Sequence, residues 1–247
     1  MNRILTLVLL FTAATVFGQQ KIDVSDSNYD QLKAQGQLEG LQVVASSKAG
    51  VDAGDIIVTP TMAGGGGQSL CDCWLDPDDT YTLAMAPNDD GSSAQISMDF
   101  DFCLYGEDYS SVYINNNGNI SFGSPYATFS AEGFPSTNYI MVAPFWGDVD
   151  TRPANGGEVW YKLTETALYV NWVEVGYYNQ HTDKLNSFQV IITNGGDPVV
   201  PDGNNISFCY LDMQWTTGDA SQGSGGFGGV PATVGANLGD GTSFIQF

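Results

Sequence analysis

Two carboxylates spaced two residues apart, Asp148 and Asp150, have the types and spacing best suited to chemistry in this sequence. In an extended segment they leave the same face about 7 Å apart, from a rise of about 3.3 Å per residue. Such a pair resembles the acid and nucleophile of β-jelly-roll glycosidases, and carboxylate oxygens also suit calcium. Arg152 follows closely and should depress the pKa of both carboxyls, the wrong direction for a general acid. We therefore interpret the pair first as a structural corner, then as a calcium site, and last as a catalytic pair.

The segment that carries this pair is the one around which the chain is organised. Ile140 to Trp146 is a short apolar run with two aromatics, which is typical of a strand buried on both faces. Pro153 to Gly157 has turn chemistry, and Glu158 to Tyr161 resumes an extended pattern. The sequence from Ile140 to Tyr161 therefore predicts a buried strand, a charged corner and a returning strand.

The other residues that could perform chemistry have simpler interpretations. His181 is the only histidine and lies in a polar stretch, so we expect an exposed loop residue rather than a member of a catalytic triad. Aromatic side chains could stack on sugars in a carbohydrate-binding module, although tryptophan in strands more often fills the core. The tryptophans concerned are Trp146, Trp160, Trp172 and Trp215.

Four cysteines, Cys71, Cys73, Cys103 and Cys209, favour disulfides in an exported chain. A bridge between Cys71 and Cys73 would close a very tight ring, so we expect each of these to pair with Cys103 or Cys209, in either combination. A zinc site is the weaker alternative because no second cysteine pair has metal-ligand spacing.

Composition and charge restrict the setting and the partners. The net charge of −21, from 28 acidic and 7 basic residues, repels nucleic acid and anionic membranes and attracts cations. Residues 1–18 resemble a secretory signal peptide, with Arg3 ahead of an apolar run. Residues 19–70 lack sustained periodicity and read as a leader and linker. No later segment has about 18 consecutive apolar residues, so we predict no transmembrane span and a secreted product.

From residue 71 to residue 247 the pattern predicts one β domain. Short alternating runs are separated by Asn, Asp, Gly and Pro at intervals of about ten residues, which indicates an all-β sandwich or barrel. In one run Met98, Phe100, Phe102 and Leu104 alternate with polar residues, giving a strand with one buried face. Asn115 to Asn119 joins two further runs as a hairpin turn. The fold class is therefore an antiparallel β-sandwich of jelly-roll type.

An ordered set of residues carries a resemblance to a known family. It comprises Tyr105-Gly106, Tyr109, Val112 to Ile114, Asn117-Gly118, Ser121-Phe122, Phe134-Pro135, Ala143-Pro144-Phe145-Trp146, Asp148, Asp150, Thr151, Arg152, Gly157, Val159, Tyr161, Trp172, Val175, Asn186, Phe188, Gln189, Ala232, Val234, Gly235, Gly239 and Gly241. This set, from about residue 71 to 247, resembles the nidogen-like domain. The Cys71-Asp72-Cys73 segment, at the start of this region, is more similar to the family's secreted bacterial variants than to its animal ones.

The resemblance implies an extracellular module of the cell–matrix adhesion type that acts by binding and not by catalysis. We therefore expect binding through loops and an acidic face to an extracellular matrix or cell-surface protein or glycan. No cofactor is expected apart from possible calcium. The alternatives are a secreted glycan-active enzyme that uses Asp148 and Asp150, and a carbohydrate-binding module that uses exposed tryptophans.

Overall fold

The computed structural model describes residues 21–38, 73–200 and 205–247, together with the backbone of residues 42–44. The predicted signal peptide at residues 1–18 lies outside the described residues, as does Cys71. Within the described ranges, no helix has the length and apolar character that a membrane crossing requires.

Strands make up most of the regular secondary structure of the described chain. A small N-terminal unit, here called the leader unit, contains β1 (Lys21–Asp23), α1 (Tyr29–Ala34) and β2 (Gln42–Val44). The remaining strands are β3 (Thr82–Leu83), β4 (Ile96–Leu104), β5 (Glu107–Asn115), β6 (Asn119–Ser121), β7 (Met141–Trp146), β8 (Val149–Asp150), β9 (Glu158–Leu163), β10 (Ala167–Tyr177), β11 (His181–Thr193), β12 (Ile206–Met213), β13 (Thr233–Asn237) and β14 (Phe244–Gln246). A 3-10 turn, Asp219–Ser221, lies between β12 and β13.

The strands from β3 onwards form two six-stranded antiparallel sheets. The first sheet has the order β12-β11-β10-β9-β3, and β8 also pairs with β10. The second sheet has the order β14-β13-β7-β6-β5-β4. In the leader unit β1 and β2 pair with each other in parallel and with neither of these sheets. The prediction of an all-β antiparallel sandwich is confirmed.

Apolar side chains from both sheets fill one core. On β4 the alternation is as predicted, because Met98, Phe100, Phe102 and Leu104 are buried while the residues between them are exposed. They share a cluster with β10 and β11 side chains such as Trp172 of the first sheet. Burial of this apolar surface is the main force that holds the two sheets together.

The central tract passes from one sheet to the other. Every residue of β7 is buried, and its two faces contribute to two different apolar clusters, as predicted for a strand covered on both sides. After Gly147 and Asp148 the chain enters β8, which pairs with β10 in the first sheet. The returning strand β9 also pairs with β10. The predicted strand, corner and strand are present, and the corner joins the two layers.

One disulfide is present in the described chain, and it agrees with only part of the prediction for the cysteines. Cys73 is bonded to Cys209 of β12 across a sequence separation of 136. Cys103, which we expected in a disulfide, is instead a free and exposed thiol. The reason is its position, because Cys103 lies on the outward face of β4 while its neighbours Phe102 and Leu104 are buried.

Replacing Cys73 and Cys209 with alanine should lower the free energy of unfolding by about 5 kcal/mol, because the bond restricts a long loop in the unfolded chain. Urea unfolding monitored by tryptophan fluorescence measures this loss. Cys103→Ser is the matched control and should change the unfolding free energy by less than about 0.5 kcal/mol. A double variant as stable as the parent would contradict the expectation.

Candidate functional site

Three segments converge at one end of the sandwich. They are the loop that contains Asn88 to Gly91, the Asn115 to Asn119 turn between β5 and β6, and the corner that contains Asp148. All five residues of the Asn turn are buried, which is unusual for a turn, because polar turn residues normally face water. Two of them, Asn116 and Asn117, instead bond backbone groups of the other two segments with their side chains.

The asparagine side chains hold these segments in fixed positions. Asn116 donates from Nδ2 to the carbonyl oxygens of Asp89 and Val149, so it joins the loop to the corner. Asn117 accepts the Val149 N–H at Oδ1 and donates to Asp90 Oδ1 at 2.7 Å. Gly118 completes the turn because a Cβ there would lie 1.9 Å from the carbonyl oxygen of Phe145.

This arrangement brings three carboxylates together around one ammonium group. Lys33 of α1 places its Nζ 2.8 Å from Asp89 Oδ2, 3.0 Å from Asp90 Oδ1 and 2.7 Å from Asp148 Oδ1. All four side chains are fully buried. The sequence separations of 56 to 115 residues show that the leader unit supplies the cation and the sandwich supplies the anions.

Two aromatic rings complete the surroundings of the ammonium group. Nζ lies 4.4 Å from the ring centroid of Phe129 and 4.2 Å from that of Tyr178, within the range of cation–π attraction. We call these two rings and the carboxylates of Asp89, Asp90 and Asp148 the lysine cage. The cage offers an ammonium group both charge and a desolvated aromatic lining.

The lysine cage has more acceptor capacity than Lys33 uses. Asp90 also accepts from the Tyr29 hydroxyl and from Asn117, so both of its oxygens are satisfied. Asp89 Oδ1 and Asp148 Oδ2 are buried and have no hydrogen-bond partner among the described residues. Unpaired buried acceptors are costly, so this site is strongly anionic and depends on its cation.

A second ion bridge joins the leader unit to the sandwich beside the cage. Arg152 contacts Asp150 through Nε at 2.8 Å and through a terminal nitrogen at 2.6 Å. Its other terminal nitrogen donates to both carboxylate oxygens of Asp30 in α1, at 2.7 and 2.9 Å. The Tyr178 hydroxyl donates to the Asp30 carbonyl at 3.1 Å. Arg152 therefore links one carboxylate of each unit.

Burial and charge shift the ionisation of the cage residues. Burial raises the pKa of Asp148 to about 7 although the Lys33 ammonium opposes the shift. Burial and the neighbouring Asp90 carboxylate raise the pKa of Asp89 well above its usual value. Burial alone would lower the pKa of Lys33, but the surrounding aspartates outweigh it and raise that pKa well above its usual range. Lys33 therefore stays protonated while the cage can take up a proton.

The structure separates the two carboxylates that the sequence pairs. Asp148 faces Lys33, and Asp150 faces Arg152 and accepts the backbone N–H of Gln180 at 2.9 Å. The prediction that arginine would depress both pKa values is wrong for Asp148, because burial has the larger effect there. Each carboxylate is buried and is paired with a basic side chain of the same chain.

Comparison with known proteins identifies the sandwich. A family model described as NIDO related matches residues 75–247. The chain belongs to the NIDO-related family. The resemblance to the nidogen-like domain is thus confirmed. The matched residues include Asp89, Asp90 and Asp148, and they begin after the leader unit.

Individual relatives of this NIDO-related chain include animal proteins. Human alpha-tectorin is 35% identical over 189 residues, covering 64% of this chain and 8% of the relative. Chicken alpha-tectorin is 36% identical over 210 residues, covering 72% and 9%. Drosophila melanogaster nidogen is 25% identical over 168 residues, covering 57% and 12%. The chain therefore spans about a tenth of these relatives. No solved structure matches it.

The relatives establish where the NIDO-related chain works. Alpha-tectorin and nidogen are secreted proteins of the extracellular matrix, and this chain is accordingly an extracellular protein. The relatives are matrix structural proteins, which agrees with a module of the adhesion type.

The remaining candidate residues of the NIDO-related domain lie in its core or in its strands. Trp146, Trp172 and Trp215 are at most 1% exposed and belong to the core, as interpreted, while Trp160 on β9 is partly buried. His181, which we expected as an exposed loop residue, is instead the first residue of β11 and is partly exposed. It stacks on a tyrosine ring and contacts an aspartate at 2.8 Å.

Sequence reasoning did not identify Lys33, Asp89 or Asp90 as members of the site. One signal was present, because Lys33 is one of only seven basic residues in a strongly acidic chain. Asp89-Asp90-Gly91 reads as an ordinary turn, and nothing local distinguishes it from the other Asp-rich turns. The cage depends on contacts between distant segments, so local patterns cannot reveal it.

The raised pKa of Asp148 should make the folded protein less stable as pH rises from about 4 to about 7. In that interval the folded state holds a proton that the unfolded state has released, and one such proton gives a slope of about 1.4 kcal/mol per pH unit. Asp148→Asn should therefore flatten the dependence. Unfolding free energies measured between pH 4.5 and 8 provide the readout.

Asp99→Asn is the control for this pH experiment, because it removes the same charge from an exposed position on β4. Its pH profile should follow that of the parent. Equal slopes in Asp148→Asn and the parent would show that Asp148 does not titrate in this interval.

Proposed function

We propose that this chain is an extracellular interaction module that binds a matrix or cell-surface protein without catalysis. The observation that supports this most directly is the way in which the three clustered carboxylates of Asp89, Asp90 and Asp148 are paired. The carboxylates of the lysine cage are buried and are engaged by a lysine presented on another segment, which is the chemistry of recognition. A catalytic acid and nucleophile would face a substrate cleft instead.

An exposed acidic surface provides a second contact area for a basic partner. Asp99 and Asp101 are exposed on the outer face of β4, and Glu107 and Asp108 are exposed where β5 begins. Because β4 is the edge strand of its sheet, these charges also prevent edge-to-edge association through β4. Such a surface steers a positively charged partner towards the module and increases the rate of association.

Removing the acidic charges of β4 should weaken binding to the natural partner. The full chain can be immobilised and used to capture protein from the producing organism's own surface material, with retention measured at increasing salt. We expect Asp99→Asn/Asp101→Asn to reduce affinity several-fold, mainly through slower association. The matched control is Glu132→Gln/Glu165→Gln, which removes two exposed charges elsewhere.

Glycan hydrolysis should be assayed with the same preparations. Release of sugars by the parent that disappears in Asp148→Asn/Asp150→Asn, with folding retained, would overturn the non-catalytic proposal. Capture that persists unchanged in both charge variants would instead move the contact area away from β4.

Calcium is a second candidate ligand, favoured by the two buried acceptors that lack partners, Asp89 Oδ1 and Asp148 Oδ2. Carboxylate oxygens of Asp89, Asp90 and Asp148 lie within 4.8 Å of one another, so one ion could contact all three residues. Asp150, which we expected as the second ligand, is paired with Arg152 instead.

Because Lys33 supplies the positive charge in the cage, calcium should stabilise Lys33→Met more than the parent. Thermal melts in millimolar calcium and in chelator measure this difference, and we expect a rise of several degrees for the variant and a smaller rise for the parent. The absence of any shift in Lys33→Met would remove the calcium proposal.

A further inference from the structure

The leader unit has the properties of a bound ligand more than those of a part of the sandwich. Its strands pair only with each other, and its apolar residues Ile22, Tyr29 and Leu38 form a cluster of their own. In the described chain the sandwich contributes one side chain to that cluster, Phe129. The unit therefore has its own small core and does not share the main one.

The contacts that hold the leader unit on the sandwich are chiefly polar and charged. Lys33 enters the lysine cage, the Tyr29 hydroxyl donates to Asp90, and Asp30 binds Arg152. The charges are complementary in both directions, because the unit presents one cation and one anion to groups of opposite sign. This two-point match fixes the orientation of α1 as well as its position.

The lysine cage is incomplete without this segment. Three buried carboxylates with two unpaired oxygens form an anionic site that needs a cation to remain desolvated. Nothing in the cage requires that the lysine come from the same molecule. The residues that complete the cage lie on an element connected to the sandwich by the chain between Val44 and Cys73.

The length of that connection permits a second arrangement. Twenty-eight residues lie between Val44 and Cys73, and a chain of this length can span at most about 100 Å. A domain of about 175 residues has a radius of gyration of about 16 Å, so the span exceeds the width of the sandwich. A leader unit can therefore reach the cage of a neighbouring molecule as well as its own.

From these observations we propose that the lysine cage accepts the leader unit of a second copy of this chain, so that copies associate by exchanging leaders. The proposal rests on the proposed function as an interaction module and names one partner for it. At low concentration each leader occupies its own cage, because a tethered ligand has an effective concentration on the order of millimolar. Where copies are crowded, exchange joins the sandwich of one molecule to the leader of the next.

Two full-length variants test the exchange. Lys33→Ala keeps the cage and loses its ligand, whereas Asp89→Asn/Asp148→Asn keeps the leader and loses two charges of the cage. Each alone should sediment as a monomer at micromolar concentration. Their mixture should contain a one-to-one complex, because only one productive leader–cage pair can form and growth stops there. Sedimentation velocity distinguishes these species.

A peptide arm covers the case in which a variant does not fold. A fluorescent peptide of residues 21–38 should bind full-length Lys33→Ala, or Lys33→Met if the alanine variant lacks the Cys73–Cys209 bond. The same peptide with alanine at position 33 should bind at least about tenfold more weakly. Lys162→Ala, a surface lysine on β9, keeps the native leader and should bind neither peptide appreciably.

The outcomes separate this inference from the proposed function. Peptide binding without a mixed complex would overturn leader exchange and restrict the leader to its own molecule. Absence of both, in folded variants, would overturn the cage as a leader-binding site. Capture of a cell-surface protein is measured independently of both assays, so its failure would reject the adhesion proposal and leave leader exchange standing.

Discussion

One desolvated ammonium group balances three buried carboxylates, and the arrangement at this end of the protein depends on that balance. Three ionised aspartates could not remain buried at 2.7–3.0 Å from a common point without a cation there. Removing the cation alone from such a group costs about 3–5 kcal/mol, because the remaining charges lose their partner and stay desolvated. The charge of Lys33 therefore stabilises the burial of these three carboxylates.

The sandwich prepares this site with neutral groups. Amide side chains of the turn between β5 and β6 fix the positions of the two acidic segments, and Trp172 donates its indole N–H to the carbonyl of Asn116. Asn116 thus connects the corner to the centre of the hydrophobic core through hydrogen bonds between groups that do not titrate.

Much of the sandwich could be predicted from sequence because its strands follow local rules. The alternation on β4, the apolar run of β7 and the Asn-Gly turn each give a period or a turn preference that needs no distant partner. The corner at Asp148 was predictable as a charged corner for the same reason. That this corner joins the two sheets was not predictable, because it depends on the pairing of β8 with β10.

The cage and the disulfide pairing lie beyond such rules. Lys33 and Asp148 are 115 residues apart, and Cys73 and Cys209 are 136 apart, so only the folded chain brings them together. The expectation that the pKa of Asp148 is lowered was wrong for a related reason. The expectation considered the nearby arginine, whereas the degree of burial, which a sequence does not display, had the larger effect.

The Cys73–Cys209 bond has a mechanical consequence for an extracellular protein. A pulling force applied before Cys73 and resisted after Cys209 passes directly through the sulfur atoms, so residues 74–208 carry none of the tension. All five residues that form the lysine cage lie within residues 74–208. The receptor for the leader therefore keeps its shape under load while the segment that fills it is the part that tension can withdraw.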